Sequence, residues 1–405
     1  MLIVQKYGGT SVGSIERIKN VANRIIATRR QGHQVIVVVS AMAKETDRLL
    51  DLSHQITPTP SARELDMLLA SGEQVSIALL AIALNHAGQP AKSYLAHQVG
   101  ILTDSFHTKA KIQGIVGAEI LEEARKGTVM IVAGFQGVTE SGEITTLGRG
   151  GSDITAVALA ASVNADICEI YTDVDGVYTA DPNIVPEACK LQHVSYEEML
   201  EMASLGAKVL HPRAVEFAKR YQVKVHTRSS FSNEEGTILM EATDMEKTVV
   251  TGISYTKNEV KVTIQGVPDE PGVAAQLFSA LMETGIDIDM IVQNISHEGL
   301  SDITFTVPES EAIRAVDATK TVANQIGAKE VLEDQGVSKV SVIGVGMRGH
   351  TGIAAKMFRT LSEEGINIEM ISTSEIKISC IIRSKYTELA VRTLHKAFEL
   401  EMENG

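Results

Sequence analysis

Four short runs of the chain read as buried strands: LIVQ at 2–5, VIVVVS at 35–40 and VMIVAG at 129–134, apolar at nearly every position, and CEIYTD at 168–173, apolar at half. Such runs suit strands of a parallel sheet covered on both faces. Between them the apolar positions recur at helical spacing. In SIERIKNVANRIIATRRQG, Ile15, Ile18, Val21, Ala22, Ile25 and Ile26 fall on one face. The alternation predicts an α/β fold, a three-layer αβα sandwich around a mostly parallel sheet. The longest apolar run, VSIALLAIAL at 75–84, is short for a bilayer and reads as a buried helix.

Polar and glycine-rich segments follow these strands. Lys6-Tyr7-Gly8-Gly9-Thr10-Ser11 follows the first, Ser40 to Asp47 the second, and Thr172-Asp173-Val174-Asp175-Gly176 a later one. Open α/β sheets bind ligands at the carboxyl ends of their strands, so these loops are expected to converge on one crevice. Near residue 232 the pattern changes, and SNEEGTILMEATDMEK, polar and turn-rich, reads as a linker or domain edge. Beyond it lies a repeat: DEPGVAAQLFSALMETGIDIDMI and GHTGIAAKMFRTLSEEGINIEMI align without gaps at an offset of 80, with 11 of 23 positions identical. Each copy has a strand before it and another after it. The expected division is 1–232, a linker at 233–255, and two small modules at 256–335 and 336–405.

The chain has 405 residues and a formal net charge of −14. That balance argues against nucleic acid as a partner, yet leaves room for small anions in a local basic pocket. Cys168, Cys189 and Cys380 are widely spaced and odd in number, so no disulfide framework or metal knuckle follows. A reducing cytoplasm is the simplest setting. The first residues lack the layout of a signal peptide.

Gly8-Gly9-Thr10-Ser11 joins a strand to a helix, where backbone N–H groups can approach an anion, and Lys6 could reach the same anion; a glycine turn beside a solvated lysine is the alternative. The Walker pattern is absent. In TTLGRGGSD, Arg149 stands among glycines at a helix start, and Asp153 falls in the first turn. A guanidinium fork there can hold a carboxylate or phosphate, against the plainer reading of a surface turn with an aspartate cap. YTDVDGVYTADP packs Asp173, Asp175 and Asp181 together but lacks the terminal glutamate of a calcium loop. Lys208, just before His211-Pro212-Arg213, is a second candidate phosphate lysine. GVGMRG at 344–349 matches a dinucleotide fingerprint, but the sister copy has GVPDEP there, and no full dinucleotide-binding half follows.

Together LIVQKYGGTSVGS, SAMAKETDRLLDL, MLLASGEQVS, VAGFQG, TTLGRGGSD, EIYTDVDGVYTADP and GAKVLHPRA resemble the aspartate kinases of the amino-acid-kinase superfamily. The repeated modules resemble ACT domains, each expected as βαββαβ. The resemblance covers essentially the whole chain. It implies transfer of the γ-phosphoryl of MgATP to the β-carboxylate of L-aspartate, giving 4-phospho-L-aspartate. That is the first step toward lysine, threonine, methionine and diaminopimelate.

Carried onto this chain, the resemblance makes Lys6 and Asp153 catalytic. Ser40, Thr46, Glu73, Arg149, Gly150, Gly151 and Ser152 hold the substrate, Glu73 through its ammonium and Arg149 through its α-carboxylate. Lys6, Tyr7, Gly8, Gly9, Thr172, Asp173, Tyr178, Asp181 and Lys208 hold the nucleotide, which brings its own Mg2+, so no direct metal ligand is implied. Effector lysine and threonine are expected at Asp269, Gly272, Val273, Ala274, Gln293 and Asn294, with Ala354, Asn367, Ile368 and Ser374 of the second module. Pairing of modules between chains implies at least a homodimer. Some relatives also make a shorter regulatory chain from an internal start, and Met245 stands just before the repeat.

Departures from the family pattern are small. Tyr7 stands where phenylalanine is frequent, and Ala43 and Lys44-Glu45-Thr46 replace a glycine and a threonine pair. Three other readings are weighed: a kinase for another amino acid such as glutamate, an ACT-bearing NAD-dependent dehydrogenase resting on the 344–349 glycines, and a non-catalytic amino-acid sensor.

Overall fold

The computed structural model describes the chain except residues 206–208, 242–248, 287, 296–298, 348–349 and 402–405. It divides into two compact units. The first comprises Met1–Val177 and Lys190–Thr243; the second comprises Tyr178–Cys189 and Asp244–Gly405.

The first unit is built on an eight-stranded sheet. Its order is His193–Ser195, Thr237–Met240, Val225–Ser229, Ile167–Thr172, Leu2–Tyr7, Gln34–Val39, Val129–Ala133, Ala91–Tyr94. Every pairing is parallel except that of Val225–Ser229 with Thr237–Met240. The apolar runs thus form the centre of the sheet, where Val35 to Val39 and Val129 to Ala133 are wholly buried. A four-stranded sheet of short strands, Ile112–Ile115, Ile101–Thr103, Gln136–Val138 and Ile144–Thr146, stands beside it.

The helix Ile15–Arg30 is capped by Ser14, whose hydroxyl accepts from the Arg17 N–H. It buries Ile18, Val21, Ala22 and Ile25. Ile15, expected on the same face, is exposed, because its turn lies at the helix start beyond the packed face. The apolar run at 75–84 lies in the helix Ser71–His86, which continues from Ala62–Leu69 with only Ala70 between. The combined 25 residues are long and apolar enough to cross a bilayer, which corrects the sequence-based length. Half of its most apolar 18 residues are instead buried in the protein, where Ile77, Leu80 and Leu84 pack against the first helix and the sheet.

Tyr7 is fully buried and stacks on Tyr171 of the neighbouring strand, ring centres 4.8 Å apart and 6° from parallel. Its hydroxyl donates to Gln5 Oε1 at 3.2 Å. The Gln5 amide donates to Glu169 at 2.8 Å, and Tyr171 donates to the same carboxylate at 3.1 Å. A polar network therefore lies on the sheet face where an apolar layer was expected.

The second unit is a six-stranded antiparallel sheet, ordered Ile291–Ile295, Leu300–Pro308, Gly252–Pro268, Glu330–Ile343, Lys377–Arg383, Met370–Thr373. The strand Gly252–Pro268 begins inside the stretch read as linker and serves both modules. Its later part, Glu259 to Gln265, pairs with the start of Glu330–Ile343 in the first module. Its earlier part, Gly252 to Thr256, pairs with Lys339 to Ile343 in the second. The first module is βαββαβ as expected. The second runs βαββα and takes its fourth strand from Gly252 to Thr256, ahead of the first module. The two cores are separate: Val260, Val262, Ile264 and Phe305 in one, Val340, Val342, Cys380 and Leu394 in the other.

The segment Tyr178–Cys189 interrupts the first unit in sequence but folds with the second. Ile253 donates its N–H to the Thr179 carbonyl, and Ala180, Ile184 and Val185 join the second module's core. Thr179 Oγ1 lies 2.9 Å from Nε2 of the fully buried His395.

Tyr7→Phe, which installs the residue frequent in the resembling family, should keep the ring stack and leave Gln5 Oε1 without its donor. The expected loss is about 1 kcal/mol by urea unfolding. A loss several times larger would mean that the hydroxyl holds more than Gln5.

Candidate active site

The carboxyl ends of four adjacent central strands, Tyr7, Val39, Ala133 and Thr172, lie along one edge of the sheet. The loops that follow them are tied backbone to backbone. Gly8 N–H donates to the Tyr171 carbonyl, Ser40 N–H to that of Tyr7, Ala43 N–H to that of Gly9, and Gly134 N–H to that of Val39.

Lys6 sits at the end of the first strand, 8% exposed, and its ammonium is 2.5 Å from Asp153 Oδ1. Asp153 stands in the first turn of the helix Gly151–Ser162. The pair thus bridges the first strand and the glycine-rich helix start, far apart in sequence. A Cβ on Gly8 would come to 3.6 Å from Lys6 Nζ, and one on Gly9 to 2.8 Å from the Ala41 carbonyl oxygen. The two glycines keep the space beside the lysine clear and let the first two loops touch.

Gly148 and Gly150 both have positive φ, 77° and 69°. A Cβ on Gly150 would lie 2.2 Å from the Cβ of His211. Arg213 grips the same turn, donating to the Leu147 carbonyl at 2.6 Å and to that of Ala110 at 3.0 Å. His211 and Arg213, given no role from sequence, therefore brace the loop that carries Arg149. Arg149 itself is exposed and has no hydrogen bond or ion pair among the described residues. Gly151 and Ser152 are buried, packed so closely on Phe135 and Gly134 that a Cβ on either glycine would clash. Phe135 itself holds φ 69°, a strained value for a bulky residue next to the site.

Glu73 is 2% exposed in the helix Ser71–His86. Oε1 accepts the Ala41 N–H at 3.0 Å, which hangs it beneath the second loop. Oε2 is buried without a partner. Desolvation pushes its carboxyl up to about 8 despite the backbone donor. An incoming cation would supply the partner Oε2 lacks and favour the ionised form. Ser40 is half-buried, its carbonyl accepting from Ser76, and Thr46 lies half-buried in the first turn of the helix Glu45–Ile56.

Thr172 closes its strand with its carbonyl bonded to the Ser230 N–H, and its hydroxyl donates to Asp173. Tyr178 and Asp181 stand in the segment that folds with the second unit. There Asp181 caps its own turn through Asn183 and accepts the Tyr255 hydroxyl at 2.9 Å. Lys208 lies outside the described residues.

Sequence reasoning also passed over Asp66. It is fully buried and accepts from Thr146 Oγ1 at 2.5 Å and from the Thr108 N–H, with His107 Nδ1 at 2.8 Å. It ties the helix Ala62–Leu69 to the strand leading into the arginine loop. A carboxylate flanked on both sides by apolar residues, Leu65 and Met67, was the available signal.

In the second unit a cleft of about 400 Å³ gathers Asp269, Gly272, Val273, Ala274 and Gln293. Gly272 has φ 101° and caps the helix Val273–Glu283. Asn294 is exposed on the adjacent strand position. Ala354 and Ile368 pack on the second module's core, while Asn367 and Ser374 are exposed there; none of the four lines the first-module cleft. In the 344–349 run, a Cβ on Gly344 would lie 2.3 Å from the Val249 carbonyl oxygen, so that glycine serves close backbone packing.

Residues 1–229 match the amino acid kinase family, and residues 260–321 and 340–398 match the ACT domain. The chain is 54% identical over 402 residues to an aspartate kinase of Pseudomonas putida, covering 99% of this chain and 98% of that one. It is similar to the crystal structure of aspartate kinase from Synechocystis, at 46% identity and TM-score 0.56, covering 98% of this chain and 69% of that one. Aspartokinase III of E. coli, solved with aspartate and ADP, shares the fold at TM-score 0.82 and 24% identity, covering 98% and 99%. A family match over more than half the chain, with this identity along its full length, is decisive: the chain belongs to the amino acid kinase family, among the aspartate kinases that carry C-terminal ACT domains.

Proposed function

We propose that this chain phosphorylates the β-carboxylate of L-aspartate with MgATP at the Lys6–Asp153 edge of the sheet, and that its ACT modules bind inhibitory amino acids. The observation that carries the site assignment is the buried, unpaired Oε2 of Glu73 below the loop that touches Gly9. It is suited to the one cationic group of the substrate. Arg149, exposed and without a partner among the described residues, takes the α-carboxylate as a fork, with Ser40, Thr46, Gly150, Gly151 and Ser152 shaping the pocket. The β-carboxylate is ionised at neutral pH and is itself the nucleophile, so no general base is needed.

Lys6 offsets charge on the transferring phosphoryl group, and Asp153 fixes the lysine in place before substrate arrives. Gly8 and Gly9 admit the phosphates, and Tyr7, Thr172 and Asp173 stand at the same strand ends. Tyr178, Asp181 and Lys208 are nucleotide contacts by family resemblance. Mg2+ would enter on the nucleotide phosphates. Three free cysteines fit a cytoplasmic setting. The working division is a kinase part at 1–232, ACT modules at 256–335 and 336–405, and between them 233–255, which is no plain linker: Thr237–Met240 adds a strand to the first unit's sheet and Gly252 to Thr256 one to the second module. The cleft at Asp269 to Ala274 is sized for a free amino acid, and lysine and threonine are the proposed effectors. Modules of two chains pairing side by side would complete it, making at least a homodimer. Met245, a candidate start for a separate regulatory chain, lies outside the described residues.

The direct test is ATP-dependent acyl phosphate formation across a panel of amino acids, trapped as the hydroxamate. Turnover with aspartate is expected; turnover with glutamate alone, or binding without turnover, would overturn the reading. Lys6→Ala should lower kcat by roughly 10²–10³-fold with the fold intact. Near-normal kcat would remove Lys6 from the chemistry.

Glu73 must be ionised to hold an ammonium, and burial raises its pKa to about 8. Protonated carboxyl therefore dominates below that value, and kcat/KM for aspartate should climb with pH up to about 8 and then level. Glu73→Gln should lower kcat/KM and flatten the climb. The same slope in the variant would assign the titration to another group.

Gln293→Ala should weaken inhibition by lysine and threonine while leaving uninhibited turnover nearly unchanged, since allosteric coupling is typically about 1–3 kcal/mol. Activity measured with each effector singly and together checks this; unchanged inhibition would move the effector site elsewhere.

A further inference from the structure

Acids outnumber bases in this chain, 51 to 37. One large cleft of the first unit reverses that balance. It encloses about 930 Å³ between the helix Ile15–Arg30, the strands Ile167–Thr172 and Val225–Ser229, and the loop at 230–233. Its lining includes Arg17, Arg24, Arg228, His33 and His226, and a single carboxylate, Glu169. None of the residues given a substrate, nucleotide or effector role above lines it.

Each guanidinium lies against an aromatic ring. Arg24 lies over the Tyr171 ring at 5.0 Å, and Arg228 lies 5.9 Å from the same ring. Arg17 lies over Phe231 at 5.1 Å. Arg24 donates one N–H to the Ser232 carbonyl, and Arg17 one to that of Thr10. Each guanidinium has five N–H donors, so most remain for a ligand. Arg228 reaches Glu169 only at 3.5 Å, and its Nε is buried with no acceptor. Glu169 is already shared by Gln5 and Tyr171. Three pinned forks facing one occupied carboxylate leave an excess of positive charge, with a buried donor unsatisfied.

We infer that this cleft is a second binding site, separate from the catalytic pocket, for a small molecule bearing several oxyanion charges. The volume is that of a site for a molecule of nucleotide size, well beyond a single ion. Arg24 and Arg228 are its central forks and Arg17 a third at the loop end. The oxyanion takes the place of the missing acceptor for Arg228 Nε. Phosphate and carboxylate share the geometry that a guanidinium fork reads.

The test titrates the full-length protein calorimetrically with pyrophosphate in one arm and citrate in the other, with sodium chloride at matched ionic strength as control. Lys6→Ala serves as background, because pyrophosphate can also enter the catalytic loop. One site per chain is expected to survive in Lys6→Ala for at least one of the two probes, and the responding probe identifies the chemistry. Arg228→Gln should weaken it at least tenfold. Arg24→Gln, at a half-exposed position that does not threaten folding, should do the same. Arg228→Lys, which keeps the charge and loses the fork, should also weaken it. Binding abolished by Lys6→Ala, binding unchanged in both glutamine variants, or no heat beyond the salt control with either probe would each overturn the inference.

Discussion

Parallel strands deliver all their carboxyl ends to one edge of the sheet, and the chemistry of this chain depends on that constraint. Lys6 and Asp153 are 147 positions apart in sequence and 2.5 Å apart in space. What brings them together is the adjacency of strand ends, closed by backbone hydrogen bonds between successive loops. Close approach of those loops then requires glycine. Gly9 against Ala41 and Gly150 against His211 are positions where any side chain would push one loop off another. The site is held by backbone contact, and the charged groups are set into a frame already closed around them.

The strands and loops of that frame were legible because their signals are local. Apolar runs at 2–5, 35–40, 129–134 and 168–173 lie within two residues of the bounds of the central strands, and the glycines that follow announce turns. Lys6, Glu73 and Arg149 could be named from ordered motifs. Their partners could not. Asp66 and Arg213 act through residues about 40 to 100 positions away, and no periodicity encodes such contacts. The Gln5–Glu169–Tyr171 network was hidden for a different reason: in CEIYTD the polar residues alternate with apolar ones, and only the sheet shows which face each takes.

The repeat was legible, but its assembly was not. Two similar copies suggest two modules laid end to end. The long strand Gly252–Pro268 makes the first an insertion within the second, because strand pairing is indifferent to chain order. Likewise Tyr178–Cys189 reads as part of the kinase half and folds with the other unit, where its Ala180, Ile184 and Val185 find an apolar core.

That shared strand sets an order of events during synthesis. Gly252 to Thr256 leaves the ribosome some 80 residues before Lys339 to Ile343, its neighbours in the sheet. In the interval the first module can be nearly completed, since its strand pairings all lie between 259 and 337. The second module must wait, with one edge made early and its middle made late, a separation that slows closure. Tyr178–Cys189 is already present by then and offers the Thr179 carbonyl to Ile253. The waiting strand thus has a first partner drawn from the kinase half, and the nascent regulatory sheet is seeded by chain translated long before it.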